Sequence, residues 1–258
     1  MPSLAATATT ASKPLAPRLP LRSLLGLALA IAALVAATTT LVAFVVGLTS
    51  IDPAWPSQTA VVTAAGGALL FFLAARRLDA HTFGAANLVT LVRGALTTAL
   101  LALLGTRVGS AAAWAAIFAS LVALVLDGVD GALARHRREE SAFGARFDME
   151  TDALLIVALA ALVWQLGKAG PWILLTGALR YLFVAAGPVW PALRAPLPPS
   201  RRRQTVCVVQ IAALIVCLVP LVPPRASAAL GLASLLALTA SFGVDFLWLV
   251  RRSHRISP

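Results

Sequence analysis

Long apolar blocks, separated by short basic or Pro/Gly-rich breaks, limit the possible folds of this chain more than any other feature. A helix of about 20 apolar residues crosses the hydrocarbon core of a bilayer, with a usual range of about 17 to 25. We therefore predict an all-α fold, a polytopic membrane helical bundle of about eight transmembrane helices. Seven or nine helices are the alternatives, because the second and sixth blocks are interrupted by Gly or Pro. The predicted spans are 24–48, 59–75, 84–105, 111–134, 149–166, 172–189, 205–222 and 228–250.

The composition and the positions of the basic residues agree with this prediction. The chain is 60% hydrophobic and 12% charged, whereas soluble domains are about 45 to 50% apolar and about 25% charged. With the N-terminus inside, 16 of the 21 Lys and Arg residues fall on the cytoplasmic side, three outside, and two, Arg93 and Arg180, within spans. This positive-inside bias places both termini in the cytoplasm and explains the net charge of +11 without a nucleic-acid partner. It also suits anionic phospholipid headgroups.

Three minor features fit the same class. Residues 1–23 are rich in Ala, Thr, Pro and Ser and are predicted to be mobile. The first span has no convincing signal-peptide cleavage site, so it is predicted to remain in the mature protein. The alternative is that the basic, acid-free segment before it is a mitochondrial or plastid transit peptide. Cys207 and Cys217 have no neighbouring His or Cys and are predicted to be apolar packing residues.

The acidic residues are concentrated in one short segment. Seven of the ten lie in residues 127–152, across the end of the fourth predicted span and the start of the fifth. Asp127 and Asp130 are three residues apart, and Gly144, Asp148 and Asp152 are spaced by four, so each set shares a helix face if the second helix begins near Gly144. Four uncompensated carboxylates would repel one another, so this arrangement predicts divalent cations among them. Oxygen ligands without Cys or His favour Mg²⁺, Mn²⁺ or Ca²⁺ over zinc.

Small residues accompany these acids on the same helix faces. Gly131, Ala134 and Gly144 would let a planar ligand or a neighbouring backbone approach closely. Helix packing alone is the other interpretation of such residues. Their position beside four aspartates favours a ligand.

Residues 127–152 match the pattern D-x2-D-G-x2-A-R-x8-G-x3-D-x3-D at all eight fixed positions. This pattern resembles the signature of the CDP-alcohol phosphotransferases (CDP-alcohol phosphatidyltransferases). A weaker similarity is the N-x2-T-x2-R pattern formed by Asn87, Thr90 and Arg93. The resemblance implies a six-helix core over residues 84–258, preceded by two extra transmembrane helices and a linker over residues 24–83.

The resemblance also implies residue roles. Asp127, Asp130 and Asp148 would hold one Mg²⁺ or Mn²⁺ ion, and Asp127, Asp148 and Asp152 a second, with Asp152 as the general base. The residues expected at the CDP moiety are Asn87, Thr90, Gly131, Ala134, Arg135, Ser141 and Gly144.

The implied reaction moves a substituted phosphoryl group from a CDP-alcohol, here CDP-diacylglycerol, to the hydroxyl of a second alcohol and releases CMP. Arg180, Arg202 and Arg203 would suit a phosphorylated acceptor such as glycerol 3-phosphate through bidentate contacts. Positive-inside topology explains Arg202 and Arg203 equally well, and pairing with Asp245 is the alternative for Arg180. Related phosphatidylglycerophosphate synthases tend to have Gly-Lys-x-Lys-Thr where this chain has Arg201 to Thr205, a departure that weakens the case for glycerol 3-phosphate.

The expected location is a bacterial inner membrane with the active site on its cytoplasmic side, and the chain is compatible with a homodimer. The alternatives are an aminoalcohol phosphotransferase that uses CDP-choline or CDP-ethanolamine donors, a catalytically silent homologue, and a non-enzymatic membrane protein that binds or transports cations. A transport pathway would distribute carboxylates along the membrane depth. The sequence instead places them at one end of two neighbouring helices.

Overall fold

The computed structural model describes residues 21–48, 52–77, 85–137, 142–195, 197–198 and 200–256. Within these ranges only the backbone is described at 21–24, 48, 70–77, 85–87, 129–137, 142–143, 192, 194 and 253–256. Of the predicted mobile segment 1–23, residues 1–20 lie outside the described residues, as do residues 138–141 between the two helices of the acidic segment.

The described part of the chain folds into eight α-helices without strands, which confirms the all-α prediction. The helices are α1 Leu21–Leu48, α2 Trp55–Arg77, α3 Ala85–Leu101, α4 Ser110–Arg137, α5 Ala142–Gln165, α6 Leu175–Ala186, α7 Arg201–Leu218 and α8 Pro224–Ile256. Two short 3₁₀ segments, Pro171–Leu174 and Pro191–Arg194, flank α6.

Three of the described helices are long and apolar enough to cross a membrane by length and composition, in the segments Leu25–Gly47, Ser110–Gly128 and Pro224–Arg252. The sixth predicted span differs from the structure. It divides into a 3₁₀ turn and the helix α6 of 12 residues, which at about 1.5 Å per residue is shorter than a bilayer core. Helix α6 ends at Ala186, two residues before Pro188, which has no backbone N–H to continue the helical hydrogen bonds.

Helix α5 is the centre of the bundle and contacts α3, α6 and α7. Its side chains Leu155, Leu159, Leu162 and Val163 are almost completely buried. The largely apolar sequence of α5 after Asp152 fits this central position, and only Leu154 and Trp164 of the large apolar side chains in that part of the helix are exposed, at 42% and 48%.

The far end of α5 is tied to two turns by hydrogen bonds. Gln165 donates to two carbonyls and accepts one amide of the turn between α3 and α4. Lys168 donates to three carbonyls between α7 and α8 at 2.5 to 3.2 Å. Gly167, between them, has a φ of 65°, which favours glycine. These contacts hold α5 in register, and so position the acidic residues at its beginning.

The helices α1 and α2 pack together and against α3. Trp55 at the start of α2 is buried, and its indole Nε1 donates to the Ala99 carbonyl of α3 at 2.9 Å. Thr63 of α2 and Thr98 of α3 share a hydrogen bond of 2.7 Å. The N-terminal pair is therefore attached to the helix that carries Arg93.

We expect Gly177→Ala to destabilise the protein, because α6 approaches α5 too closely for a side chain at this position. A Cβ atom there would lie 2.5 Å from Val157 Cγ2 and 3.0 Å from Val157 Cα, and such overpacking costs about 1 to 3 kcal/mol. Thermal unfolding of the purified protein in detergent measures the effect. The matched control is Gly243→Ala in α8, since no described atom lies within 4 Å of a Cβ there. An equal change in Tm for both variants would contradict the close approach of α6 to α5.

Candidate metal and nucleotide site

The end of α4 and the beginning of α5 bring the acidic residues together. Asp127 lies ten residues before the end of α4, and Asp148 and Asp152 lie in the first three turns of α5. Helix α5 begins at Ala142, so Gly144, Asp148 and Asp152 do lie on one helix with spacings of four. This confirms the expected shared face, which depended on a helix start near Gly144.

Three carboxylates form a compact cluster. One oxygen from each of Asp127, Asp148 and Asp152 lies within 4.8 Å of the others. The side chains are 26%, 40% and 19% exposed, respectively, so the cluster is half-buried and open on one side. Carboxylate oxygens at this separation are the donors that hard divalent cations such as Mg²⁺ and Mn²⁺ prefer. The donor set therefore fits a divalent metal ion.

Arg93 of α3 supplies a positive charge at the centre of this cluster. Its Nη1 donates to Asp148 Oδ1 at 2.5 Å, and its Nη2 pairs with Asp127 Oδ1 at 2.9 Å and with Asp152 Oδ1. The Arg93 side chain is only 1% exposed. In the sequence, Arg93 is the last residue of the N-x2-T-x2-R pattern, which predicts no role for it among the aspartates. Its occurrence within an apolar helix was the signal that could have identified it, because buried charges need partners.

Cys207 of α7 also reaches the cluster, and its interpretation as an apolar packing residue is incomplete. Its Sγ lies 3.8 Å from Asp152 Oδ2. No spacing pattern in the sequence could reveal this contact, because Cys207 and Asp152 are 55 positions apart. Helix α7 therefore forms one wall beside Asp152.

The residues expected at the CDP moiety are only partly described. Thr90 is buried on α3, three residues before Arg93, and so lies on the same helix face. Gly144 is half-buried near the start of α5. The side chains of Asn87, Asp130, Gly131, Ala134 and Arg135 lie outside the described residues, as does all of Ser141. Asp130 is placed only through the backbone of α4, about one turn beyond Asp127.

Arg180 pairs with a carboxylate, although not with the one considered from the sequence. Its Nη2 donates to Glu150 Oε1 at 2.5 Å and its Nη1 contacts Met149 Sδ. Pairing with Asp245 is thus wrong, because α6 lies over the beginning of α5. Glu150 is two residues from both Asp148 and Asp152 and therefore lies on the opposite face of α5, so the ion pair places Arg180 at the same end of α5 but away from the aspartate face.

Arg202 and Arg203 both pair with Asp245 and connect α7 to α8. The Arg202 guanidinium donates to Asp245 Oδ1 at 2.5 Å and to the carbonyl and hydroxyl oxygens of Ser241. Arg203 reaches the same Asp245 oxygen at 3.3 Å and the carbonyl of Pro198. The isolated acid in the last predicted span therefore has two basic partners, which compensate its charge at a position that is 7% exposed.

The family model for CDP-alcohol phosphatidyltransferase matches residues 83–243, which is 161 of the 258 residues. The chain therefore belongs to the CDP-alcohol phosphatidyltransferase family. Members of the family are transferases that move a phosphatidyl group from a CDP-alcohol to a second alcohol and use divalent cations. The matched range contains α3 to α7 and most of α8, and α1 and α2 precede it.

No curated protein and no solved structure shows significant similarity to this chain.

Proposed function

We propose that this protein transfers the phosphatidyl group of CDP-diacylglycerol to the hydroxyl of a small alcohol and releases CMP, as a step of phospholipid biosynthesis. The observation that carries the proposal is the convergence of Asp127, Asp148 and Asp152 within 4.8 Å. These are three of the four aspartates of the family signature, and they lie inside the range that the family model matches.

In this proposal Asp127, Asp130 and Asp148 hold one Mg²⁺ or Mn²⁺ ion, and Asp127, Asp148 and Asp152 hold a second. Metal ions bound by these aspartates would supply positive charge that neutralises the pyrophosphate and reduces its repulsion of the attacking oxygen. The open side of the cluster, where Asp148 is 40% exposed, is the side from which a charged donor enters.

Asp152 is the proposed general base. It is the least exposed of the three carboxylates, at 19%, so a hydroxyl beside it is shielded from competing water. Its carboxylate accepts the proton of the acceptor hydroxyl while the oxygen of that hydroxyl bonds to phosphorus and CMP leaves. The wall formed by Cys207 and α7 restricts the approach to Asp152 on one side.

The cytidine diphosphate is proposed to lie against the facing ends of α3, α4 and α5. Small side chains at Gly131, Ala134 and Gly144 leave room for the planar base. Polar contacts come from Asn87, Thr90, Arg135 and Ser141. The support is that Thr90 and Gly144 lie on the helices that carry Arg93 and Asp148, respectively.

A phosphorylated acceptor, with glycerol 3-phosphate as the first candidate, is proposed to bind Arg180, with Arg202 and Arg203 contributing from the start of α7. The ion pair between Arg180 and Glu150 holds this guanidinium at the same end of α5 as Asp148 and Asp152, on the opposite face of that helix. Arg202 and Arg203 keep Asp245 as a partner, and their side chains are 34% and 31% exposed. That exposure leaves part of each guanidinium accessible to a phosphate.

We further propose that residues 84–258 form a six-helix catalytic core and that the helices of 24–83 are an addition to it. All eight helices would lie in a bacterial inner membrane with both termini and the aspartates on the cytoplasmic side, and two chains would form a homodimer. The apolar helices and the distribution of the basic residues support this topology.

The protein purified in detergent should release CMP from CDP-diacylglycerol only when Mg²⁺ or Mn²⁺ and the correct alcohol are both present. The acceptor panel contains glycerol 3-phosphate, serine, inositol, inositol phosphate, choline and diacylglycerol, and CDP-choline and CDP-ethanolamine serve as alternative donors. CMP is measured by chromatography, with a chelator as the control. Release from CDP-choline but not from CDP-diacylglycerol would replace the proposed donor. Folded protein that releases no CMP with any pair would refute the enzymatic role.

A further inference from the structure

Arg93 is a fully buried cation, and the carboxylates that the structure describes beside it lie on other helices. It lies in the apolar helix α3, its side chain is 1% exposed, and its carboxylate partners Asp127, Asp148 and Asp152 belong to α4 and α5. A buried charge is tolerated only when it is paired and hydrogen-bonded. Arg93 and the three aspartates therefore depend on one another in this structure.

Arg93 contacts one oxygen of each of the three carboxylates that form the candidate metal site. Its Nη2 lies 2.9 Å from Asp127 Oδ1 and in closer contact with Asp152 Oδ1, and its Nη1 lies 2.5 Å from Asp148 Oδ1. A Mg²⁺ ion is held about 2.0 to 2.1 Å from each ligand oxygen. An ion bound to both Asp127 Oδ1 and Asp152 Oδ1 would therefore overlap Nη2, so the guanidinium and the ion exclude each other from these oxygens.

We propose that Arg93 is an internal counter-cation that competes with divalent metal ions for the aspartate cluster. In the metal-free protein its guanidinium occupies the place of the cation and keeps α4 and α5 together. For a metal ion to bind, the guanidinium must leave these oxygens, so Arg93 lowers the affinity of the site for metal. The inference rests on the metal centre proposed above and assigns Arg93 a positioning role.

The balance between the charges of the aspartates and of Arg93 explains why a metal ion can replace the guanidinium. Among the described residues, three carboxylates contact the Arg93 guanidinium, so these four side chains together carry a net negative charge that still attracts a dication. Without Arg93 the carboxylate of α4 and the two carboxylates of α5 would repel one another. Removal of the guanidinium should thus tighten metal binding and weaken the metal-free fold.

Direct Mn²⁺ binding to the full chain in detergent, followed by the EPR signal of free Mn²⁺, tests the proposal. We expect Arg93→Gln to lower the Kd for Mn²⁺ by about tenfold or more, since the ion no longer has to displace a guanidinium that is hydrogen-bonded to the carboxylates. Arg93→Lys should lie between Arg93→Gln and the wild type, because an ammonium lacks the planar fork that reaches three carboxylates. The matched control is Arg180→Gln, which removes a guanidinium paired with Glu150 outside the cluster and should leave the Kd unchanged.

Thermal unfolding provides a second readout that does not depend on activity. With a chelator present, Arg93→Gln should unfold at a lower temperature than the wild type, and saturating Mn²⁺ should close this gap because the ion binds only the folded state. A folded Arg93→Gln variant that binds Mn²⁺ no more tightly than the wild type would overturn the proposal. If Arg93→Gln cannot be purified, Arg93→Lys replaces it, and unchanged Mn²⁺ affinity in that variant would overturn the proposal in the same way. Wild-type protein that binds no Mn²⁺, or binds it equally well after Asp127→Asn, would instead refute the metal centre itself.

Discussion

Asp152→Asn should abolish turnover while leaving donor binding largely intact. The substitution keeps the size of the side chain but removes the carboxylate that accepts the proton of the attacking hydroxyl, and loss of a general base alone costs about 100- to 10,000-fold in rate. We therefore expect kcat for CMP release to fall by at least about 1,000-fold. Equilibrium binding of radiolabelled CDP-diacylglycerol, measured in parallel, should change little, because the cytidine contacts proposed for α3 and α4 are untouched.

The control for this result is Asp52→Asn. Asp52 precedes α2 and accepts hydrogen bonds from the backbone amides of Ala54 and Arg107. It lies on the loop from α1 to α2, outside the aspartate cluster. CMP release by this variant should match the wild type, which would exclude a general effect of removing an acid. Unchanged turnover in Asp152→Asn would refute its role as the base.

Asp127→Asn should eliminate both metal binding and turnover, because Asp127 is the proposed ligand that α4 contributes to both ions. Replacing residues that only support metal ligands costs about 10- to 100-fold in metal affinity, so loss of a direct ligand should cost more than about 100-fold. The EPR titration with Mn²⁺ measures the affinity, and the CMP assay measures turnover. Excess Mn²⁺ should restore only a small part of the activity.

A comparison of Asp127→Asn with Asp152→Asn distinguishes the loss of a metal ligand from the loss of the general base. Both variants should lose turnover, but Asp127→Asn should lose more metal affinity than Asp152→Asn, because Asp127 is assigned to both ions and to no proton transfer. Equal metal affinity in Asp127→Asn and wild type would place the metal on other residues. The charge-matched comparison is again Asp52→Asn, for which the affinity should stay at the wild-type value.

The helices and the aspartate cluster were largely predictable from local sequence. Apolar blocks define helices because each block must bury or embed its own surface, and all eight predicted spans overlap α-helices of the described structure. The spacings within 127–152 predict a shared face because the period of an α-helix is local, and three of the four aspartates do meet. Asp130, with the other residues whose side chains are not described, stays a prediction.

The carboxylate partners of Arg93 and Arg180 could not be predicted from such local spacings. Arg93 meets Asp148 and Asp152 across 55 and 59 residues, respectively, and the choice between Glu150 and Asp245 as the partner of Arg180 depends on which helix α6 packs against. Helical periodicity specifies the face on which a side chain lies, but it does not specify the helix that covers that face.

The sequence by itself therefore determined the class of fold, the family and the acids of the site, because these follow from hydropathy and from spacings within a few turns. Only the tertiary structure decided that α3 places Arg93 among those acids and that α7 places Cys207 beside Asp152. The physical reason is that both contacts depend on how α5 is packed at the centre of the bundle. That packing is the sum of many weak contacts between helices that are distant in sequence.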